Sequence, residues 1–202
     1  MTPSRAVLVI AVFALAVAVC APFIGPDGFA AGGVRPGGEE IGATGFWQLR
    51  VPRVFAAFLA GAALAMSGMA FQAVFRNPLA TPFTLGVSSG ASFGAALALQ
   101  LGATGVWFGV SGASAAAFAG AMLSTSLVYG LTFLRGGFST ATLLLAGVAV
   151  SFFFSSLILF VQYTADVYNA FRMLRWVMGG LSVVDYDAVW GMTPFVVAGV
   201  AI

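Results

Sequence analysis

Apolar positions in this chain gather into long blocks, and polar residues fall mainly in the short gaps between them. Six blocks stand out, at residues 6–24, 54–75, 85–101, 105–134, 142–163 and 188–202. A helix crossing a bilayer needs roughly 17–25 apolar residues. The pattern therefore predicts an all-α, polytopic transmembrane helix bundle of about six spans, in a single domain over residues 1–202. The fourth block exceeds one crossing, so it is expected to tilt or to run past the hydrocarbon. The last block is still apolar at Ile202. Its closing stretch covers only about 21 Å as a helix, short of the roughly 30 Å apolar core. A truncated C-terminus of a longer protein is the expectation.

The first block could be a secretory leader, with Arg5 ahead of an apolar run and Ala-Val-Cys-Ala behind it. No small-residue cleavage site sits cleanly there, and Val19 before Cys20 suits a lipoprotein signal poorly. A retained first span is expected.

Composition narrows the class. The chain is 61% hydrophobic and 7% charged, against about 25% charged in a soluble domain. Eight arginines oppose six acids, with no lysine and no histidine. This excludes histidine relays, Ser-His catalysis, a retinal Schiff base and a P-loop, and a balance of +2 gives no sign of a nucleic-acid partner. With one cysteine, Cys20, no internal disulfide forms. No His, Cys or Met cluster suggests a metal site. Asp27, Glu39, Glu40, Asp166, Asp185 and Asp187 fall on one side of the predicted topology, and Arg5, Arg76 and Arg135 on the other. Basic residues set orientation, yet the acid-bearing side carries five arginines to three, so charge alone leaves orientation open.

Small residues recur every four positions: Ala57, Gly61 and Ala65; Gly86, Gly90 and Gly94; Gly112, Ala116, Gly120 and Ser124. Residues four apart share a helix face, and small faces let helices approach where lipid gives no hydrophobic drive. The stretch from Gly86 differs, because Ser88, Ser89 and Ser92 join the glycines just after Pro78 and Pro82. It reads as a broken helix start. Irregular backbone at membrane depth is tolerated only inside protein or beside a wet cavity, so Gly86, Ser88, Ser89, Gly90 and Ser92 are candidates for a translocation path.

Charged positions supply the other candidates. Arg50 and Arg53 flank Pro52 at the entrance to the second span, as lipid-phosphate anchors or as forks for a partner's carboxylates. Arg76, Asn77 and Pro78 make the turn at its far end, since proline pushes the preceding residue out of the helical region. Arg76 there could simply snorkel. Ser139, Thr140 and Ala141 follow Arg135-Gly-Gly-Phe, as a helix cap or a narrow polar gate. Arg172, Arg175 and Trp176 lie beside Leu174, Val177 and Met178 in a short amphipathic helix expected at the interface.

The segments RVPRVFAAFLAGAALAMSGMAFQAVFRNPLATPFTLGVSSGAS, STATLLLAGVAVS and RWVMGGLSVVDYDAVW resemble FecCD-type permeases of bacterial ABC importers, in the family's order and spacing. Those importers carry iron-siderophores, haem or cobalamin. The resemblance implies about ten spans per subunit, in a homodimer or close heterodimer with the pathway between subunits. It implies two cytoplasmic ATPase subunits holding the ATP, an external substrate-binding protein, and a bacterial inner-membrane location with the N-terminus inside. Arg50 and Arg53 would then pair with glutamates of the binding protein, Ser139-Thr140-Ala141 would face a cytoplasmic gate beside the Arg76 turn, and Arg172–Gly180 would lie near the outer rim. No cofactor on this chain, no metal and no catalysis are expected, with a siderophore as the default cargo. The family's ATPase-docking helix and about four spans would lie beyond residue 202. A membrane scaffold without a pathway, or an inactive fragment, is the alternative. An intramembrane enzyme is disfavoured, because Asp166, Asp185 and Asp187 fall in predicted loops.

Overall fold

A computed structural model describes residues 3–25, 28–29, 46–103, 105–107, 110–134, 139–181 and 186–201. Asp27, Glu39, Glu40, Arg135 and Asp185 lie outside the described residues. Seven helices account for most of them: α1 Pro3–Cys20, α2 Val51–Phe75, α3 Val87–Gln100, α4 Gly112–Leu134, α5 Thr140–Thr164, α6 Val167–Met178 and α7 Tyr186–Ala201. Two minimal antiparallel strand pairs accompany them among the described residues. β1 (Ile24–Gly25) pairs with β2 (Gly28–Phe29), and β3 (Val106–Trp107) with β4 (Val110–Ser111). Among the described residues, four segments, at Ser4–Phe23, Phe46–Phe75, Gly112–Leu134 and Thr140–Thr164, are long and apolar enough to cross a membrane. At 14 and 16 residues, α3 and α7 are shorter, about 21 and 24 Å at 1.5 Å per residue.

The predicted fourth span is corrected at its start. Val106–Trp107 and Val110–Ser111 pair as strands, and α4 begins at Gly112. Gly102 takes a left-handed φ of 70° and closes α3, with Ala103 N donating to Ala98 O at 2.9 Å and Gly102 N to Leu99 O at 3.3 Å. That 6→1 and 5→2 pair is a Schellman stop. Val106 and Trp107 then favour the hairpin, and Ser111 Oγ accepts from Ser114 N at 3.1 Å to cap α4. A short apolar run does not itself separate strand from helix.

The contacts define two compact units, Met1–Ala63 with Leu181–Ile202, and Leu64–Gly180. In the first, Ala56 and Val189 are buried together with Leu59 against them, while α1 exposes nearly all of its large side chains. In the second, α3 lies along α4 and also touches α5 and α6. Leu85, Val128, Val150 and Phe154 form its main core, with Phe93 and Phe154 rings 5.5 Å apart. Ala96, Leu99, Ala113, Val161 and Met173 form a second cluster that seats α6.

Candidate translocation site

The broken helix start takes shape over Thr81–Gly86. Thr84 N donates to Thr81 Oγ1 at 3.2 Å and Thr81 N to Thr84 Oγ1 at 3.0 Å. This reciprocal bonding holds a turn over Pro82–Leu85, with Gly86 N donating to Phe83 O and Val87 N to Pro82 O. Gly86 then adopts φ +76° and α3 begins at Val87. Pro82 fits because a helical first turn wants no N–H there.

The Gly86 carbonyl collects three donors: Gly90 N at 3.0 Å, Ser89 Oγ at 2.9 Å and Ser124 Oγ at 2.7 Å. Ser124 is fully buried on α4. The other helix-interior hydroxyls on α4 and α5 with a described bond donate to the carbonyl three or four residues earlier on their own helix, as Thr125, Ser126, Thr132, Ser151, Ser156 and Thr164 do. Ser124 instead crosses to another element, tying the break to α4. Gly147 on α5 closes the other side, where a Cβ would meet Thr84 O at 2.5 Å and Leu85 Cα at 2.7 Å.

Within this chain, then, Gly86 and Gly90 are buried at a three-helix junction rather than on a free surface. A Cβ on Gly90 would meet Gly120 O and Ser124 Cβ, each at 2.5 Å. Ser88 and Ser92 lie about 180° around α3 from the glycine stripe at 100° per residue and are half-buried. Ser89 is occupied by Gly86 O. The five candidates thus divide into a packing set and a serine face. The α4 stripe is the partner of the α3 glycines, for Ala116 O faces Gly94 and Gly120 faces Gly90. The α2 stripe is not packed among the described residues: nothing lies within 4 Å of a Cβ on Gly61, and Ala57 and Ala65 are exposed.

The turn after α2 is a second Schellman stop. Asn77 N donates to Gln72 O and Arg76 N to Ala73 O, with Arg76 itself at φ 47°. This left-handed position usually holds glycine, and an L side chain there costs about 1 kcal/mol. Asn77 Oδ1 accepts from Leu79 N at 2.9 Å, and Pro78 follows where no helix can continue. Ser139 caps α5, accepting from Thr142 N at 3.1 Å, while Thr140 Oγ1 reaches Phe75 O at 3.5 Å. Ser139 and Thr140 therefore hold local structure beside the Arg76 turn, and Ala141 is exposed.

At the entrance to α2, Arg50 is half-buried and its Nη1 donates to Pro22 O at 3.3 Å, whereas Arg53 is exposed. On α6, Met173 is fully buried, Arg172 lies 5.6 Å from the Tyr168 ring centre, and Arg175 and Trp176 face outward. Asp166 caps α6, a signal readable from Asp-x-x-Asn. Its carboxylate accepts from Asn169 N at 2.9 Å and Asn169 Nδ2 at 2.8 Å. The Asn169 N–H bond, foremost among several, holds its pKa below the usual 3.8. A depressed carboxylate stabilises above its unfolded pKa and loses that contribution as pH falls through the folded value. Protection of the Asn169 amide against hydrogen exchange should therefore fall as pH drops below 3.8, and Asp166→Asn should remove the dependence.

Membrane-length helices joined through a capped break and a buried glycine crossing define a polytopic helical membrane protein. The sequence matches the FecCD transport family over residues 7–202, and the chain belongs to that family. It is 42% identical over 160 residues to the vitamin B12 import system permease protein BtuC of Klebsiella pneumoniae, covering 78% of this chain and 47% of that one. The BtuC of Salmonella arizonae is 42% identical over 150 residues, 74% of this chain and 44% of the relative. The chain spans about half the length of the curated relatives it matches. A solved structure, reported as an inward-facing metal-chelate type ABC transporter, superposes with TM-score 0.74 at 26% identity, over 96% of this chain and 58% of that one.

Proposed function

We propose that this chain forms part of a substrate-translocating permease of an ATP-binding-cassette importer in the bacterial inner membrane, with its N-terminus cytoplasmic. Its partners are a second permease subunit, two ATPase subunits that hold the ATP, and a substrate-binding protein. The observation that carries the reading is the family match across nearly the whole chain, supported by likeness to a transporter fold. The cargo is a bulky chelated metal. Relatives named for vitamin B12 import favour cobalamin over the siderophore expected from sequence.

The serine face of α3, at Ser88 and Ser92, is the part of the break that borders the path, while Gly86 and Gly90 form its hinge against α4. Ser139-Thr140-Ala141 and the Arg76 turn flank the cytoplasmic gate, and α6 lies at the outer rim. Uptake of radiolabelled cobalamin and of a ferric siderophore into proteoliposomes, with full-length protein, ATPase and binding protein, tests the assignment. ATP-dependent accumulation of cobalamin is expected, and accumulation of neither would overturn it.

Docking of the binding protein is assigned to Arg53, with Arg50 beside it. Arg53→Glu should weaken binding-protein affinity at least tenfold, since like charges facing each other across an interface cost several kcal/mol. Surface plasmon resonance on the reconstituted complex measures it, and unchanged affinity would remove the assignment.

A further inference from the structure

The glycine crossing explains why Ser124 departs from its neighbours. Hydroxyls such as Thr125, Ser126 and Ser151 donate to the carbonyl four residues earlier on their own helix. The matching acceptor for Ser124 is Gly120 O. Gly90 of α3 lies over that carbonyl, for a Cβ on Gly90 would stand 2.5 Å from Gly120 O and 2.5 Å from Ser124 Cβ. With its own acceptor covered, the Ser124 hydroxyl donates to Gly86 O instead, at 2.7 Å.

Gly86 O meets more donors than it has lone pairs. A carbonyl oxygen offers two, yet Gly90 N, Ser89 Oγ and Ser124 Oγ all reach it, at 3.0, 2.9 and 2.7 Å. The two hydroxyls therefore compete for one site. When Ser124 leaves, Gly90 N and Ser89 still satisfy the carbonyl, and Ser124 finds Gly120 O once Gly90 no longer covers it. Neither arrangement leaves a buried polar group without a partner. That penalty is what ordinarily fixes a buried hydroxyl in place, and Ser124 is fully buried.

We propose that Ser124 and Ser89 form a two-position latch on Gly86 O that responds to the separation of α3 and α4. With the helices in contact, Gly90 covers Gly120 O and Ser124 ties α4 to the break. When α4 draws back, Ser124 turns to Gly120 O, and Ser89 shares Gly86 O with Gly90 N. The break keeps its seat on α5, where Gly147 faces Thr84 O and Leu85 Cα. The two states differ in the crossing and not in how many groups are satisfied, which makes the joint bistable. In a permease the latch would couple α4 to Ser89, next to Ser88 of the serine face. That consequence rests on the transport reading, whereas the latch itself does not.

Solid-state NMR of the full-length protein in bilayers, isotopically labelled at serine Cβ, tests this, because the Cβ shift follows the side-chain rotamer. Ser124→Ala identifies the Ser124 signal by its loss, and Ser126, Ser151 and Ser156 mark the position of a serine bonded to its own helix. The wild-type Ser124 signal should stand apart from theirs. Gly94→Ala, which forces α3 from α4 at the Ala116 carbonyl, should move it to theirs. Adding Ser89→Ala should shift the balance back about fivefold, the equivalent of one net hydrogen bond, and adding Ser89→Thr instead should leave it moved. A Ser124 signal that stays apart in Gly94→Ala means a fixed tie and overturns the latch. If Gly94→Ala does not fold, melting temperatures decide. Ser89→Ala and Ser124→Ala should each lower Tm slightly, and together by more than the two losses combined. Additive losses would show independent donors and overturn it equally. A nonhydrolysable ATP analogue with the ATPase subunits separates the latch from its use. A signal that moves in Gly94→Ala yet ignores nucleotide supports the latch and counts against its part in transport.

Discussion

Gly94→Ala is expected to destabilise the protein by about 3 kcal/mol or more, the upper range for forcing extra volume into a packed site. The new Cβ would be driven into the Ala116 carbonyl of α4, with Gly120 Cα 3.3 Å away. Backbone atoms cannot rotate aside as a side-chain end can, so α3 and α4 must separate along their length. That separation would also loosen Gly90, whose own added Cβ has 2.5 Å to Gly120 O. Gly61→Ala and Gly68→Ala are the controls, since nothing lies within 4 Å of either position. Both sit inside α2, where alanine favours the helix by about 1 kcal/mol over glycine. Unfolding in detergent micelles, followed by circular dichroism, should order the variants with Gly94→Ala far below the wild type. Equal stability of Gly94→Ala and Gly61→Ala would refute the close crossing.

Gly86→Ala should cost about 2 kcal/mol and, in full-length protein, slow uptake more than it lowers stability. Two effects add. The φ of +76° is left-handed, which costs an L side chain about 1–2 kcal/mol. The added carbon would also stand 3.1 Å from both Gly147 O and Ser124 Oγ, a contact that needs a small shift of α4 or α5. Ser124→Ala probes the same joint without strain. It removes the 2.7 Å bond to Gly86 O, worth about 1 kcal/mol, while Gly90 N and Ser89 Oγ keep that carbonyl satisfied. If the Gly86 break moves during transport, Ser124→Ala should change uptake rate with little change in melting temperature. Uptake rates that simply track stability across both variants would show a static joint.

Much of the architecture was legible because bilayers impose long apolar runs. The blocks at 54–75 and 142–163 lie inside α2 and α5, and the turn at Arg76-Asn77-Pro78 was marked by proline. The start of α4 was not legible. The sequence of Gly105–Ser111 is apolar like the helix it precedes, and only the pairing of Val106–Trp107 with Val110–Ser111 sets these residues apart from that helix. The candidate site was half legible. A break before α3 followed from Pro82 and the Gly-Ser cluster, yet which residues turn inward did not.

Spacing alone gave Gly61, Gly90 and Gly94 the same standing, each one member of a four-residue stripe. Whether a stripe is used depends on a second helix arriving opposite it, and sequence period carries no record of the partner. The chain's order of residues determined that it spans a membrane, where most of its helices run and that the chain breaks before α3, because these depend on local hydrophobicity and backbone chemistry. Tertiary structure decided that Gly86 and Gly90 are buried and Gly94 meets Ala116, that Ser124 ties the break to α4, and that Arg50 reaches the Pro22 carbonyl. Each of these joins residues 28 or more positions apart, or at least 22 in the case of Gly94 and Ala116, and only packing brings such residues together.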